Sequence, residues 1–141
     1  DLGAEAGGAG GGVHVLQAGA MGCLSADLTA DVAHEAEREL PGRSIEVIDL
    51  RTLIPYDEVC IIESVKKTSR VLVTCEAPER SCFGNELVKF VSRKENFQYL
   101  DAPPLLVAAA NTPTPFATEL EEAHLPTVPK LVAAIRELLG Y

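Results

Sequence analysis

The stretch from Ser44 to Pro78 constrains the fold more than any other part of this chain. It reads in order as strand, loop, helix and strand. Ile45-Glu46-Val47-Ile48-Asp49-Leu50 is rich in β-branched residues and has the length of a strand. Asp57, just after Pro55-Tyr56, is a natural helix N-cap, because its carboxylate can accept from the free amides of a first turn. The helix behind it offers Ile61, Ile62 and Val65 to a core and ends on Lys66-Lys67, which suits the negative end of its dipole. Arg70-Val71-Leu72-Val73-Thr74-Cys75 is almost continuously apolar, the pattern of a parallel strand covered on both faces. Two strands joined through a helix predict a parallel pair with a right-handed crossover.

The rest of the chain repeats this alternation. Val13 to Gln17 predicts a short strand, and Ala18-Gly19 a turn. A helix follows from Ser25 or Asp27 to Leu40, with Leu28, Val32, Ala33, Ala36 and Leu40 on one face; Pro41-Gly42 stops it. A further helix is predicted over Gly84–Arg93, burying Leu87, Val88 and Val91. Leu105–Ala110 reads as a fourth strand, and Asn111–Phe116, with two prolines, as an irregular loop. Thr127 is placed to cap a last helix that tolerates Pro129 in its first turn, buries Val128, Leu131, Val132, Ile135, Leu138 and Leu139, and ends at Gly140. The expected fold class is α/β, a three-layer α/β/α sandwich around a mostly parallel sheet, over residues 13–141. Residues 1–12, with six glycines from Gly3 to Gly12, bury too little apolar surface to offset their ordering entropy and read as a linker or loop. No phosphate-loop register can be laid on these glycines.

Charge removes several classes of function. A net charge of −9, with no basic run longer than Lys66-Lys67, argues against a nucleic-acid partner, which needs a basic face to displace phosphate counterions. No apolar run reaches the length of a membrane span, and the acidic, Gly-rich start is unlike a transit peptide. His14, His34 and His124 are dispersed, and Cys23, Cys60, Cys75 and Cys82 form no C-x-x-C pair, so a zinc site is not expected. Cys60 and Cys75 lie in apolar runs and are expected in the core, usage that suits a reducing compartment.

The run Val47-Ile48-Asp49-Leu50-Arg51-Thr52-Leu53-Ile54-Pro55-Tyr56-Asp57 resembles the signature of the beta subunits of 2-oxo acid dehydrogenases, and more loosely that of transketolase-type C-terminal domains. The similarity continues through Glu63-Ser64-Val65-Lys66-Lys67-Thr68, Arg70-Val71-Leu72-Val73, Glu76-Ala77-Pro78, Phe83-Gly84 with Glu86, and Leu100-Asp101-Ala102-Pro103. Thr112 with Pro115-Phe116, Leu125-Pro126-Thr127 and Gly19-Ala20-Met21 complete it, so it covers residues 13–141. Ile54-Pro55-Tyr56-Asp57 and Glu76-Ala77-Pro78 look most like the branched-chain (2-oxoisovalerate) enzymes. The resemblance implies a parent that uses thiamine diphosphate and magnesium to decarboxylate 2-oxo acids and pass the acyl group to a lipoyl acyltransferase, the cofactor supplying the electron sink.

In that family the cofactor is held by the alpha subunit and by the N-terminal domain of beta. The resemblance therefore implies that this chain alone binds no thiamine diphosphate, is inactive, and has no catalytic, cofactor-binding or metal residues. Its implied partners are an alpha subunit in an alpha2-beta2 heterotetramer and the subunit-binding domain of the acyltransferase. The implied location is the mitochondrial matrix in a eukaryote and the cytoplasm in a bacterium. Structural or interface candidates are Asp49, Arg51, Pro55, Asp57, Glu76, Asp101 and Tyr141. For Arg51 two readings stand, steering an anion or interface carboxylate and bracing the loop, the second preferred; Asp57 is preferred as a cap. Departures from the family pattern fall at Cys75 (commonly His), Ser81-Cys82 (Gly-Gly), Leu106 (Arg) and Ala110-Asn111 (Pro- or Gly-Asp). The paired loss at Leu106 and Asn111 suggests one polar interaction exchanged as a unit. Two alternatives remain: the same domain of a pyruvate dehydrogenase beta subunit or another transketolase-type enzyme, and a free-standing α/β binding module.

Overall fold

A computed structural model describes residues 13–17 and 25–141. The expectations placed on residues 1–12, on the Ala18-Gly19 turn, on Gly19-Ala20-Met21 and on Cys23 lie outside the described residues. Elements follow in the order β1 (Val13–Gln17), α1 (Ser25–Glu39), β2 (Ile45–Asp49), α2 (Glu58–Thr68), β3 (Val71–Pro78), α3 (Gly84–Val91), β4 (Leu105–Ala109), α4 (Thr118–His124) and α5 (Val128–Leu139). The four strands form one parallel sheet in the order β2-β1-β3-β4.

The chain moves one way across the sheet from β1 to β2, then reverses to reach β3 and β4. Crossovers of constant hand require the connecting helices to change face when that direction reverses. They do so. The sheet face carrying Val71, Val73 and Cys75 packs against α2 and α3 through Ile61, Val65, Leu87, Phe90 and Val91. The face carrying Val13 and Leu72 packs against α1 and α5 through Val32, Ala36, Leu131, Val132, Ile135 and Leu138. The three-layer α/β/α sandwich expected from the alternation is therefore the architecture observed. Neighbouring β3 residues serve opposite faces because successive side chains on a strand alternate.

Local chemistry sets the element ends. Asp57 caps α2 as expected, its carboxylate accepting from the Cys60 amide at 2.9 Å. Gly42, at φ +84°, takes the left-handed turn that ends the α1 connection.

Several expectations need correction. Cys60 is exposed, because it faces away from the Ile61–Val65 stripe. Thr127 sits at the N-cap of α5 in extended conformation, but its side chain makes no capping hydrogen bond, the fixed backbone of Pro129 in the first turn already favouring the helix. β3 runs three residues past Cys75, through a register shift between Cys75 and Pro78. α4 is a helix that the sequence did not announce: it carries Glu119, Glu121 and Glu122 to solvent, with no apolar stripe.

Candidate functional site

The sequence direction puts the candidate residues at two ends of the sheet. Asp101 and Tyr141 lie at the amino end. The Asp101 amide donates to the Ser69 carbonyl at 2.9 Å, and its carboxylate stands 4.0 Å from Arg70, whose Nε donates to the Leu138 carbonyl near the end of α5. Tyr141 follows α5 and is exposed. Asp49, Arg51, Pro55, Asp57 and Glu76 gather at the carboxyl end, where open α/β sheets collect function.

At that end the loop from Leu50 to Asp57 forms a groove of about 540 Å³ with the start of α3. Its walls are Leu53, Ile54, Pro55, Tyr56, Val59 and Phe83, and carboxylates Asp57, Glu58 and Glu86 stand at its rim. The Ile54–Pro55 peptide is cis. Tyr56 anchors the groove floor by meeting Phe83 and Phe90 edge-on, with ring centroids 5.7 Å apart in both pairs. Burial, then the Glu58 and Glu86 carboxylates, push the Tyr56 phenol above its ordinary value, against the pull of Arg93. Arg93 itself is engaged by Glu58 at 3.9 Å and Glu86 at 3.6 Å, and lies over the Phe90 ring.

Two apolar side chains at this groove find no cover. Ile54 is 89% exposed and Val59 73% exposed. Ile54 precedes a proline in a loop, and Val59 sits in the first turn of α2 off its buried stripe. Those two positions were the signal in the sequence; Ile54 was read only as part of the Ile54-Pro55-Tyr56-Asp57 motif, and Val59 was not read at all. Arg51, 91% exposed, reaches only Asp49 among the described residues, at 3.8 Å, so its side chain does not brace the loop against the domain body. Glu76 is half-buried, within the irregular stretch of β3 between Cys75 and Pro78.

The departures also collect at this end of the sheet. Leu106 packs so closely on Gly84 that a Cβ there would lie 2.7 Å from Leu106 Cδ1, 3.2 Å from Cys82 Sγ and 3.2 Å from Val73 Cγ1. Asn111 holds the 3₁₀ turn Glu79–Ser81, its Oδ1 accepting from the Arg80 amide at 2.9 Å and its Nδ2 donating to Glu79 at 3.3 Å. Leu106 and Asn111 thus serve two different contacts, one apolar and one polar.

A thiamine diphosphate with magnesium does not fit these residues. The rim is anionic and would repel a diphosphate, and its nearby cation, Arg93, is already shared by two carboxylates. Among the described residues no three His, Cys, Asp or Glu side chains are grouped to hold a metal ion. No described helix is long and apolar enough to cross a membrane.

Residues 20–131 match the family model described as "Transketolase, C-terminal domain". The chain is 40% identical over 109 residues to the pyruvate dehydrogenase E1 component subunit beta of Rhizobium meliloti (strain 1021), covering 77% of this chain and 24% of that one. It is 39% identical over 107 residues to the mitochondrial 2-oxoisovalerate dehydrogenase subunit beta 2 of Arabidopsis thaliana, covering 76% of this chain and 28% of that one. The chain thus spans about a quarter of the length of these relatives. Among solved structures, a split-gene transketolase described as an inactive beta4 tetramer has the same fold, with a TM-score of 0.70 at 20% identity over 93% of this chain and 39% of that one. With the parallel β2-β1-β3-β4 sheet, its two helical layers and the match over residues 20–131, this chain belongs to the transketolase C-terminal domain family.

Proposed function

We propose that this chain is an assembly domain of the beta subunit of a thiamine-diphosphate-dependent 2-oxo acid dehydrogenase, contributing docking surface and no reacting groups. The observation that carries the reading is the groove at the carboxyl end of the sheet. Ile54 and Val59 are large apolar side chains left to solvent beside an anionic rim, the composition of a protein contact with a basic, apolar counterpart. The occupant in this reading is the alpha subunit, in an alpha2-beta2 heterotetramer that holds the cofactor and magnesium elsewhere. Tyr141, exposed after α5 in an acidic chain, is the second contact, offered to a basic subunit-binding domain of the lipoyl acyltransferase.

The substrate in this reading is a 2-oxo acid. The mitochondrial pyruvate dehydrogenase subunit beta of Saccharomyces cerevisiae is 46% identical over 100 residues, against 39% for the Arabidopsis branched-chain subunit, so similarity does not favour the branched-chain substrate and a pyruvate-type subunit stands as the alternative. The branched-chain choice rests on Ile54-Pro55-Tyr56-Asp57 and Glu76-Ala77-Pro78.

Co-elution with the cognate alpha subunit tests the assembly role. The unsubstituted chain is expected to co-elute, and Ile54→Asp with Val59→Asp to abolish association while the far-ultraviolet spectrum is retained. Retained association in that variant would remove the groove from the reading. Failure of the unsubstituted chain to associate would remove the alpha subunit. For the acyltransferase contact, binding that neither salt nor deletion of Tyr141 weakens would end the proposal.

A further inference from the structure

The groove walled by Ile54 and Val59 does not stop at the start of α2. A second cleft, of about 310 Å³, opens beside it along the seam between α2 and α3, and the two share Glu58 and Val59 as a common wall. Val59, Ile62 and Phe90 make the second cleft apolar inside. Helical period presents these residues together. On α2, Glu58, Val59, Ile62 and Glu63 stand at i, i+1, i+4 and i+5, which is one face. From α3 and the turn after it, Glu86, Phe90 and Arg93 stand at i, i+4 and i+7, again one face. The two faces meet in one continuous trough that runs from the loop at Ile54 to Asn96.

Its walls decide what it can hold. They are helices, so the trough offers no row of unpaired strand groups, and an occupant must satisfy its own backbone hydrogen bonds. That selects a helix. Across the two clefts five carboxylates, on Asp57, Glu58, Glu63, Glu86 and Glu95, face a single guanidinium, that of Arg93. Arg93 stands 3.9 Å from Glu58 and 3.6 Å from Glu86, beyond the roughly 2.7–2.9 Å of a charge-assisted hydrogen bond. Both carboxylates therefore keep acceptor capacity for an incoming cation. Lys66 and Lys89, which pair with Glu63 and Glu86, line neither cleft, and Glu95 makes no ion pair among the described residues. A second copy of this chain, itself at −9, would bring like charge to this rim.

Taking the alpha subunit as partner, as the assembly reading has it, we propose that the trough receives an amphipathic basic helix of that subunit, laid along the α2/α3 seam. Its apolar stripe rests on Val59 and Ile62, and its Lys or Arg side chains meet Glu58 and Glu86 at one end and Glu63 and Glu95 towards the other. The 11 residues of α2 rise about 16 Å, so the docking helix runs for roughly three turns. Cations at i, i+4 and i+7 along it reach carboxylates on both walls.

Charge reversal away from Ile54 tests this, because Glu63 and Glu95 are both exposed and neither supports the core. Affinity of the chain for the cognate alpha subunit is measured at about 0.05 M and about 0.5 M salt. Glu63→Lys with Glu95→Lys is expected to weaken binding about tenfold or more at low salt and to flatten the salt dependence. Glu122→Lys with Glu137→Lys makes the same change of charge on α4 and α5, and is expected to leave affinity within about twofold. A photoreactive phenylalanine analogue at Val59 or at Glu95 is expected to label one continuous segment of the alpha subunit, at residues three, four or seven apart. Failure of the unsubstituted chain to bind would remove the alpha subunit and the docked helix with it. Binding abolished by Ile54→Asp with Val59→Asp, yet no weaker in Glu63→Lys with Glu95→Lys than in the α4/α5 control, would keep the assembly role and overturn the docked helix. Labels on alternate residues, or scattered over separate segments, would overturn it as well.

Discussion

The two helical layers cover one sheet and are built differently. The α1/α5 layer is aliphatic: Val32, Ala36, Leu131, Val132, Ile135 and Leu138 close on β1 and on Leu72 of β3, with Arg136 and Glu39 pairing across the rim at 2.6 Å. The α2/α3 layer holds the aromatic contacts, in which Tyr56 meets Phe83 and Phe90 and Arg93 lies over Phe90. It also holds the groove, the exposed Ile54 and Val59, and the buried cysteines Cys75 and Cys82. The aliphatic layer leaves only a smaller cleft, of about 330 Å³, between α1 and α5. At the end of the other layer, edge-on ring contacts fix Tyr56 and with it the loop that carries the larger groove.

Removing a core side chain from the closed layer tests that contrast most severely. Leu131→Ala is expected to cost about 3 kcal/mol, within the roughly 2–5 kcal/mol range for a buried leucine whose cavity relaxes little. Urea denaturation measures it. A loss under about 1 kcal/mol would mean that this layer can collapse and is not the rigid one.

Gly84→Ala carries the test to the other layer. The added methyl would meet Leu106 at 2.7 Å and both Cys82 and Val73 at 3.2 Å, so overpacking of about 1–3 kcal/mol is expected. Leu106→Val in the same chain should recover part of it, since the tightest contact is with the end of a leucine side chain. No recovery would place the strain at Val73 and Cys82 instead. In either case the double variant separates a repacking problem from a loss of helix start.

The sheet, the helix order and the three layers were legible from the chain. Strand runs such as Arg70 to Cys75 and stripes such as Leu131, Val132, Ile135 and Leu138 are local patterns with a definite period, and local patterns report local structure. The Asp57 cap was legible for the same reason. The groove was not, because it joins Ile54 and Val59 to Phe83 and Glu86 across a helix and a strand, and no spacing in the chain encodes that approach. Cys60 was misplaced because an apolar neighbourhood in sequence does not say which side of a helix a residue takes. α4 escaped because a helix with no apolar stripe carries no period to read.

Asp57→Ala is a milder probe of the groove's supporting helix. It removes the bond to the Cys60 amide, with a loss of about 1 kcal/mol expected. Asp57→Asn should recover most of it, since an amide oxygen can accept the same bond. An equal loss in both variants would mean that the charge, acting on the helix dipole, does the work and the hydrogen bond does not.

Alkaline titration sharpens the comparison further, since the raised groups lie in the α2/α3 layer. The Cys75 thiol ionises near 9.0 when the chain is unfolded and near about 12 when folded. The unfolded state therefore loses its proton first as pH rises. Stability from this group is whole below 9.0 and is lost progressively as pH climbs towards 12. Tyr56, also raised, adds to the same decline at higher pH. Cys75→Ser should flatten the early part of the curve relative to the unsubstituted chain. An unchanged slope would mean that the thiol is not held neutral by the fold.

The smallest expected change in stability belongs to the most exposed residues. Ile54→Ser and Val59→Ser remove side chains that make few contacts within the domain, so each should shift the unfolding free energy by no more than about 0.5 kcal/mol. If the α2/α3 layer keeps its groove open for a partner, both changes weaken association with the alpha subunit while the melting temperature stays in place. Comparable exposed changes on the α1/α5 side, such as Ala133→Ser, should leave both quantities untouched. Large destabilisation by Ile54→Ser would overturn the contrast itself, because the loop would then be holding the domain together and not presenting a surface.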